Sequence, residues 1–434
     1  MLGPLIIYPL WIICCIAGVA RPWIGVVAFY GCVLLEPNWN WRWTIPEDFA
    51  FQKFLALSTI VGFVLNGFPG NRFDKPQRVA LGSLLVFLAL AYASAFQTID
   101  STLTSFFMGN MWKIVLMSLL AARLLDSPKK ITTFLLVMVF TQGYNALQIN
   151  EYYFTTGINQ FAYRPWGFKG DNNLYSNLTV PVIAASAACS IYSINKWVKL
   201  ACFAVMILQL HQLMLLESRG AMLAIAVVAP YFLWLMPKTK TTIKVLLIAG
   251  VLVAALAGPP VIREFSSIFA AEQQRDSSAA SRYKLWRAGV EITKDHPLLG
   301  VGPYAAQRLV PRYYEGGEQM TIKGLHNMVF QVTAGCGIPA AIFYFLFYII
   351  PWWYCRKLYK LTRFDPGSPD WLKMATLAIT TALPAYLLAS MFSSAALLEP
   401  PYALAATGIA IMCIINTHPA SIIQMQHEPN TLKC

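Results

Sequence analysis

Residues 208–236 read LQLHQLMLLESRGAMLAIAVVAPYFLWLM. An apolar run stops for three residues, Glu217, Ser218 and Arg219, and a second apolar run starts at once. Each run approaches the length, about 17–25 residues of helix, that crosses roughly 30 Å of hydrocarbon. The stretch therefore reads as two membrane helices joined by a very short polar break.

The same pattern recurs along the chain. Of 434 residues, 57% are hydrophobic and only 12% are charged, with a mean hydropathy of +0.54. A soluble globular chain is about 45–50% apolar and about 25% charged. Backbone polar groups in hydrocarbon must be satisfied internally, which leaves helices or a closed barrel. The apolar runs are continuous rather than alternating, so helices are expected. Candidate spans are 4–19, 23–35, 52–68, 79–97, 106–124, 131–149, 176–195, 198–216, 220–236, 242–260, 327–352, 373–396 and 401–416. The first two are short and read as a tight hairpin around Arg21 and Pro22. The expected fold is an all-α integral membrane protein, a polytopic bundle of about 12 transmembrane helices.

Charge orders the loops. One set is basic: Arg72, Lys75 and Arg78; Arg123, Lys129 and Lys130; Lys196 and Lys199; Lys238, Lys240 and Lys244; Arg356, Lys357, Lys360 and Arg363. It alternates with a set that is long, acidic or aromatic: 36–50, 98–105, 150–175, 217–219, 261–326 and the loop near Glu399. By the positive-inside rule the basic set is cytoplasmic and the other extracytoplasmic. Three parts result: helices of 1–260 with outer loops 36–50 and 150–175; a large extracytoplasmic helical segment, 261–326; and helices of 327–434 ending in a cytoplasmic tail. Trp39, Trp41 and Trp43 fit an interfacial aromatic belt. The net charge of +13 follows from this asymmetry, and no basic surface domain exists to bind nucleic acid. The N-terminus has no basic leader or small-residue cleavage site, so the first run is expected to be retained. Cys14, Cys15, Cys32, Cys189, Cys202 and Cys413 lie in apolar runs, which gives neither a disulfide framework nor zinc spacing.

Chemistry-bearing residues gather on the expected outer side. A charge near the membrane is costly and usually faces a cavity, a partner or a substrate. Arg219 is thus a candidate anion ligand with Glu217 beside it; the alternative is an ion pair between the two, or an arginine reaching for headgroups. Residues 281–294 read as an amphipathic helix with Ser277 or Ser278 as its cap and Tyr283, Trp286, Val290 and Ile292 near helical spacing. Arg282 and Arg287 lie near its start, where a guanidinium fork suits phosphate oxygens; a solvated basic face is the plainer reading. His326 lies where the polar segment meets the next apolar run. It is a candidate general base, with Asn327 placed to orient a substrate, or else an interfacial polar residue. The loop 150–175 adds Arg164, Lys169, Asp171, Asn172 and Asn173. No paired acidic motif at metal-ligand spacing is present on that side, so no metal is expected.

Three stretches in order, SRGAMLAIAVV (218–228), SRYKLWRAGVEITKDHPLLGVGPYAA (281–306) and LHNMVFQVTAGCGIPAAIFYFLFY (325–348), resemble the successive signatures of the O-antigen ligase and polymerase superfamily. The N-terminal stretches RPWIGVVAFYGCVLLEPNWNW, FQKFLALSTIVGFVL and DNNLYSNLTVPVI also resemble the O-glycosylation ligases found beside exosortase systems. The resemblance implies a GT-C-like membrane glycosyltransferase of the bacterial inner membrane, active at the periplasmic face without cofactor or metal. Its donor would be a glycan on undecaprenyl diphosphate and its acceptor lipid A-core, another lipid-linked repeat or a protein hydroxyl, amid membrane lipids. It implies that Arg219 and Arg282 (with Arg287 the second arginine of the motif) hold the diphosphate, and that His326 is the base. Supporting residues would be Glu217, Arg164, Lys169, Asn327 and Trp286. A transporter or flippase of lipid-linked sugars is the rival of another class. It would carry charge deep in several helices and show inverted repeats, and the sequence displays neither clearly.

Overall fold

The computed structural model describes residues 2–167, 170–193, 195–240, 243–244, 247–248, 250–251, 277–314 and 320–417. Among these residues every regular element is helical. The principal helices are α1 (Leu2–Ala20), α2 (Pro22–Leu35), α3 (Phe51–Leu65), α4 (Lys75–Ala95), α5 (Ser101–Leu124), α6 (Pro128–Thr156), α7 (Asn172–Tyr192), α8 (Lys196–Leu215), α9 (Arg219–Leu235), α10 (Ser277–Asp295), α11 (Met328–Cys336), α12 (Ile338–Thr362), α13 (Asp370–Ser390) and α14 (Glu399–Thr417).

Seven of them, α1, α4, α5, α7, α8, α12 and α13, are long and apolar enough to cross a membrane, while α2, α3 and α9 are shorter apolar helices. The chain is thus a multi-pass helical membrane protein; the expected number of about 12 crossings is not reached by length and composition among the described residues. α1 and α2 do form a hairpin with Arg21 alone between them. The expected span 242–260 and the expected cytoplasmic tail lie largely outside the described residues.

Small side chains decide the centre. α7 and α13 make the most extensive helix contact. Ala184, Ala185, Ala187 and Ala188 on one and Ala375, Ala378, Ala382 and Ala385 on the other are buried. Such residues let backbones approach closely where lipid supplies no hydrophobic drive between helices. Two of the buried hydroxyls bond within their own helix: Ser186 donates to the Val182 carbonyl at 2.8 Å and Thr381 to that of Leu377 at 2.8 Å.

Several contacts among the described residues join loops of the same charge class. In the outer class, Trp39 packs on Trp166, Asn159 donates to Glu217 at 3.1 Å, and Gly220 lies against Phe392. Trp286 in turn packs on Phe392, and Gln97 donates to the Gly300 carbonyl at 3.0 Å. In the basic class, Asn71 and Arg123 bond each other's backbones, and Arg363 donates to the Leu235 carbonyl at 3.3 Å.

The run 327–352 is not one helix, contrary to the expectation. It breaks at Gly337 (φ 88), where the backbone of Leu298 comes too close for any side chain. The turn 295–303 is docked into that break. Val301 and Gly302 donate to the Ala334 and Gly335 carbonyls at 3.0 Å each, and Ile338 donates to the Pro297 carbonyl at 2.8 Å. Gly300 (φ 64) is pressed against the Gly335 backbone. A Gly300→Ala change combines left-handed strain with a backbone clash and should cost about 2–4 kcal/mol. Thermal denaturation in detergent is expected to fall by about 5 °C or more; an unaltered transition would mean the turn is not seated there.

α10 packs over this turn and over α11 through a second apolar cluster of Leu285, Ala288, Ile292, Val301, Ala306, Val310, Leu325 and Ala334. The helix begins at Ser277, so Ser277 and Ser278 lie inside it rather than capping at 281. The buried face is set by residues 285, 288 and 292, at helical spacing. Tyr283 falls elsewhere and is 73% exposed, which corrects its place on the apolar face.

Candidate functional site

The site forms where the starts of α7, α9 and α11 come together beneath α10. At α7, the sequence Asp171-Asn172-Asn173 ahead of an apolar run is an N-cap signature. Asp171 Oδ1 accepts the Asn173 and Leu174 backbone N–H groups at 2.7 and 3.2 Å. Asn172 donates to the Phe161 carbonyl at 2.6 Å and so folds the preceding loop back. Asn173 accepts the Ser218 hydroxyl at 2.9 Å, which fastens the start of α7 to the start of α9.

At α9, Glu217 takes a left-handed conformation (φ 52), which lets the chain turn within the three-residue break. Its carboxylate accepts the Asn159 amide. Arg219 is the first residue of α9 and is partly buried. Gly220 follows because Phe392 occupies the space a side chain would need. That phenylalanine also carries the Trp286 ring at 5.7 Å, so one residue of the α13–α14 loop spaces α9 from α10.

α10 turns Arg282 inward and Arg287 outward. Five residues of helix separate them by about 140° of rotation, and Arg287 is exposed with Lys284 and Lys294, Glu291 beside them being half-exposed. Glu291 and Lys294 pair at 2.9 Å on that face. Arg282 is partly buried. Burial, then the neighbouring charge of Arg219, draws its guanidinium below the usual value, and Asp171 opposes this. The two arginines and the aspartate therefore act on one another.

His326 precedes α11 with φ 46. Burial draws its imidazole below the ordinary histidine value; Asp171 opposes that, while Arg282 and Lys323 reinforce it. A histidine so placed is neutral at pH 7 and able to accept a proton. Asn327 is buried, and its side-chain oxygen caps α11, accepting Val329 N–H at 2.8 Å and Phe330 N–H at 3.3 Å. The expectation that it orients a substrate meets this competing use of its oxygen.

Arg219, Arg282 and His326 are thus brought together, whereas Arg287 and Arg164 are exposed and Lys169 lies outside the described residues. Trp286 lies beside the group, its buried indole N–H without a partner among the described residues. The sequence reading gave Asp171 no special weight. It is the common electrostatic neighbour of Arg282, His326 and Tyr304, and the D-N-N cap signature was the available signal. With Arg219, Arg282 and Lys323 positive and Asp171 negative, the site suits a multiply charged anion beside a neutral base.

The sequence profile of the family described as O-antigen ligase matches residues 204–345. This is about a third of the chain, running from α8 into α12 and including Arg219, Arg282 and His326. The kinship with the O-antigen ligase superfamily is therefore supported over that segment. A search of curated proteins gives no match. The family consists of membrane glycan enzymes of the ligase and polymerase type, whose substrates are a lipid-linked glycan and an acceptor.

Proposed function

We propose, from the ligase-family match of residues 204–345, that this protein transfers a glycan from undecaprenyl diphosphate to an acceptor hydroxyl at the periplasmic face of the bacterial inner membrane. The observation that carries the reading is the convergence of Arg219, Arg282 and His326 from three separate elements, with Asp171 an electrostatic neighbour of Arg282 and His326. Arg219 and Arg282 hold the donor diphosphate. His326 removes the proton from the acceptor hydroxyl as its oxygen bonds to the anomeric carbon. The bond from that carbon to the diphosphate breaks, and its electron pair leaves with the diphosphate. Fixed guanidinium groups in a site of low dielectric stabilise that developing charge without reorganising. Attack from the side of the base, in line with the departing diphosphate, inverts the anomeric centre. No step draws on a metal or cofactor.

Lipid A-core is the acceptor proposed. A polymerase would extend another lipid-linked repeat, and a protein O-glycosylation ligase would modify serine or threonine, each with the same donor site. Purified protein given one lipid-linked donor and each acceptor in turn tests the choice. Extension of lipid-linked repeats alone would overturn the ligase reading, and transport without transfer would overturn both.

The electrostatics give a pH prediction. Transfer needs neutral His326, so activity falls as pH drops through its pKa, which lies below the ordinary histidine value. The acidic limb of kcat/KM is therefore expected below about pH 6.5. Asp171→Asn keeps the capping oxygen and removes the charge that raises the His326 pKa. Its acidic limb should shift to still lower pH. A shift upward would mean that Asp171 does not face the base.

A further inference from the structure

Beneath His326 lies a buried aromatic cluster drawn from three helices. Tyr344 of α12, Tyr386 of α13 and Tyr402 of α14 are all fully buried. Two of their hydroxyls meet at Met328, two residues beyond His326: Tyr344 donates to its sulfur at 3.2 Å, and the Tyr386 hydroxyl lies 3.3 Å from the same atom. Each hydroxyl has a single proton to donate. Tyr386 donates to the Ala395 carbonyl at 3.0 Å and Tyr402 to the Ala396 carbonyl at 2.7 Å. Tyr402 also reaches the Tyr344 oxygen at 3.2 Å. The Tyr344 hydroxyl in turn directs its proton to the Met328 sulfur.

The cluster joins two parts of the site. Through Met328 it holds the first turn of α11, and His326, two residues earlier, has a left-handed backbone that is uncommon for residues with a side chain. Through the Ala395 and Ala396 carbonyls it holds the α13–α14 loop. That loop carries Phe392, wedged against Gly220 and Trp286, and Ser393, which accepts from Asn177 of α7. One platform therefore sets the base relative to the helices that present the two arginines.

We propose that Met328, Tyr344, Tyr386 and Tyr402 are positioning residues, and that the Tyr344 hydroxyl bonded to the Met328 sulfur fixes the height of His326. The proposal rests on the reading of His326 as the base. Met328→Leu keeps the shape and takes the sulfur acceptor away from the buried Tyr344 hydroxyl, which is costlier than removing both partners. Tyr344→Phe strands no proton and is the milder change.

The experiment measures transfer and, separately, carbethoxylation of His326 by diethyl pyrocarbonate, followed by peptide mass spectrometry on the full-length protein in detergent. Met328→Leu is expected to lower kcat about tenfold, since a displacement near 1 Å is enough for a loss of up to about a hundredfold. Donor affinity should hold while His326 modification accelerates severalfold. Tyr344→Phe alone should accelerate modification about twofold. The double variant should return both readouts to within about twofold of the unsubstituted protein, because coupled partners are not additive. Unaltered modification in Met328→Leu and in Tyr344→Phe, or losses that simply add in the double variant, would overturn the platform. If Met328→Leu does not fold, the rate of His326 modification in Tyr344→Phe decides. Should His326→Ala retain full transfer, the base reading fails, and the modification rates still report on the platform by themselves.

Discussion

Replacing His326 by alanine is expected to lower glycan transfer about 10²–10⁴-fold, the usual contribution of a positioned base. Binding of a fluorescent undecaprenyl diphosphate analogue should be retained. The separation follows from geometry: the donor's negative charge is met by Arg219 and Arg282, and the imidazole is neutral because burial and nearby cations disfavour its protonated form. Loss of a neutral side chain removes little ground-state attraction for a diphosphate. It removes the route by which the acceptor's proton leaves, so kcat should fall while the donor dissociation constant stays nearly unchanged. Equal losses of binding and turnover would show that His326 serves the donor, and full turnover would show that the proton goes elsewhere. A flippase would keep its transport in this variant, which makes the same protein a test between the two classes.

The helical class was legible in the sequence because it depends on local composition, whereas the grouping of Arg219, Arg282 and His326 was expected from loop charge, which puts them on one side, and from the family resemblance. Charge asymmetry along the loops predicted which would share an end, and the contacts of Asn159 with Glu217 and of Gln97 with Gly300 agree. Other features depend on distant segments and could not be read locally. The break of the 327–352 run arises because Leu298 approaches Gly337, and nothing within that run announces the visitor. The meeting of Tyr344 and Tyr386 at Met328, with Tyr402 bonded to Tyr344, joins four successive helices through side chains 16–58 residues apart. The choice between Arg282 and Arg287 is an intermediate case. It follows from helical phase once Leu285, Ala288 and Ile292 are known to be the buried face, but counting Tyr283 among the apolar positions blurred that phase.

That phase carries the second large prediction. Arg282→Ala is expected to lower kcat about 10²–10³-fold, the usual loss for one fixed donor to a developing anion, while Arg287→Ala should stay within about twofold because exposed surface changes are nearly neutral. Arg282→Lys should fall between: it preserves the charge and loses the planar fork that meets two oxygens at once. The Arg219→Ala loss should resemble that of Arg282→Ala. The double variant should lose less than the product of the two single losses, because groups that bind one leaving diphosphate act as a unit. Mutual repulsion adds to this expectation. With no ligand the two guanidinium groups disfavour each other's charge, so removing one relieves the other even as it strips the diphosphate of a partner. Kinetic constants for the five variants with one lipid-linked donor test the scheme. Comparable losses at Arg282 and Arg287 would mean that α10 presents its other face to the substrate, and the site as assembled would be wrong.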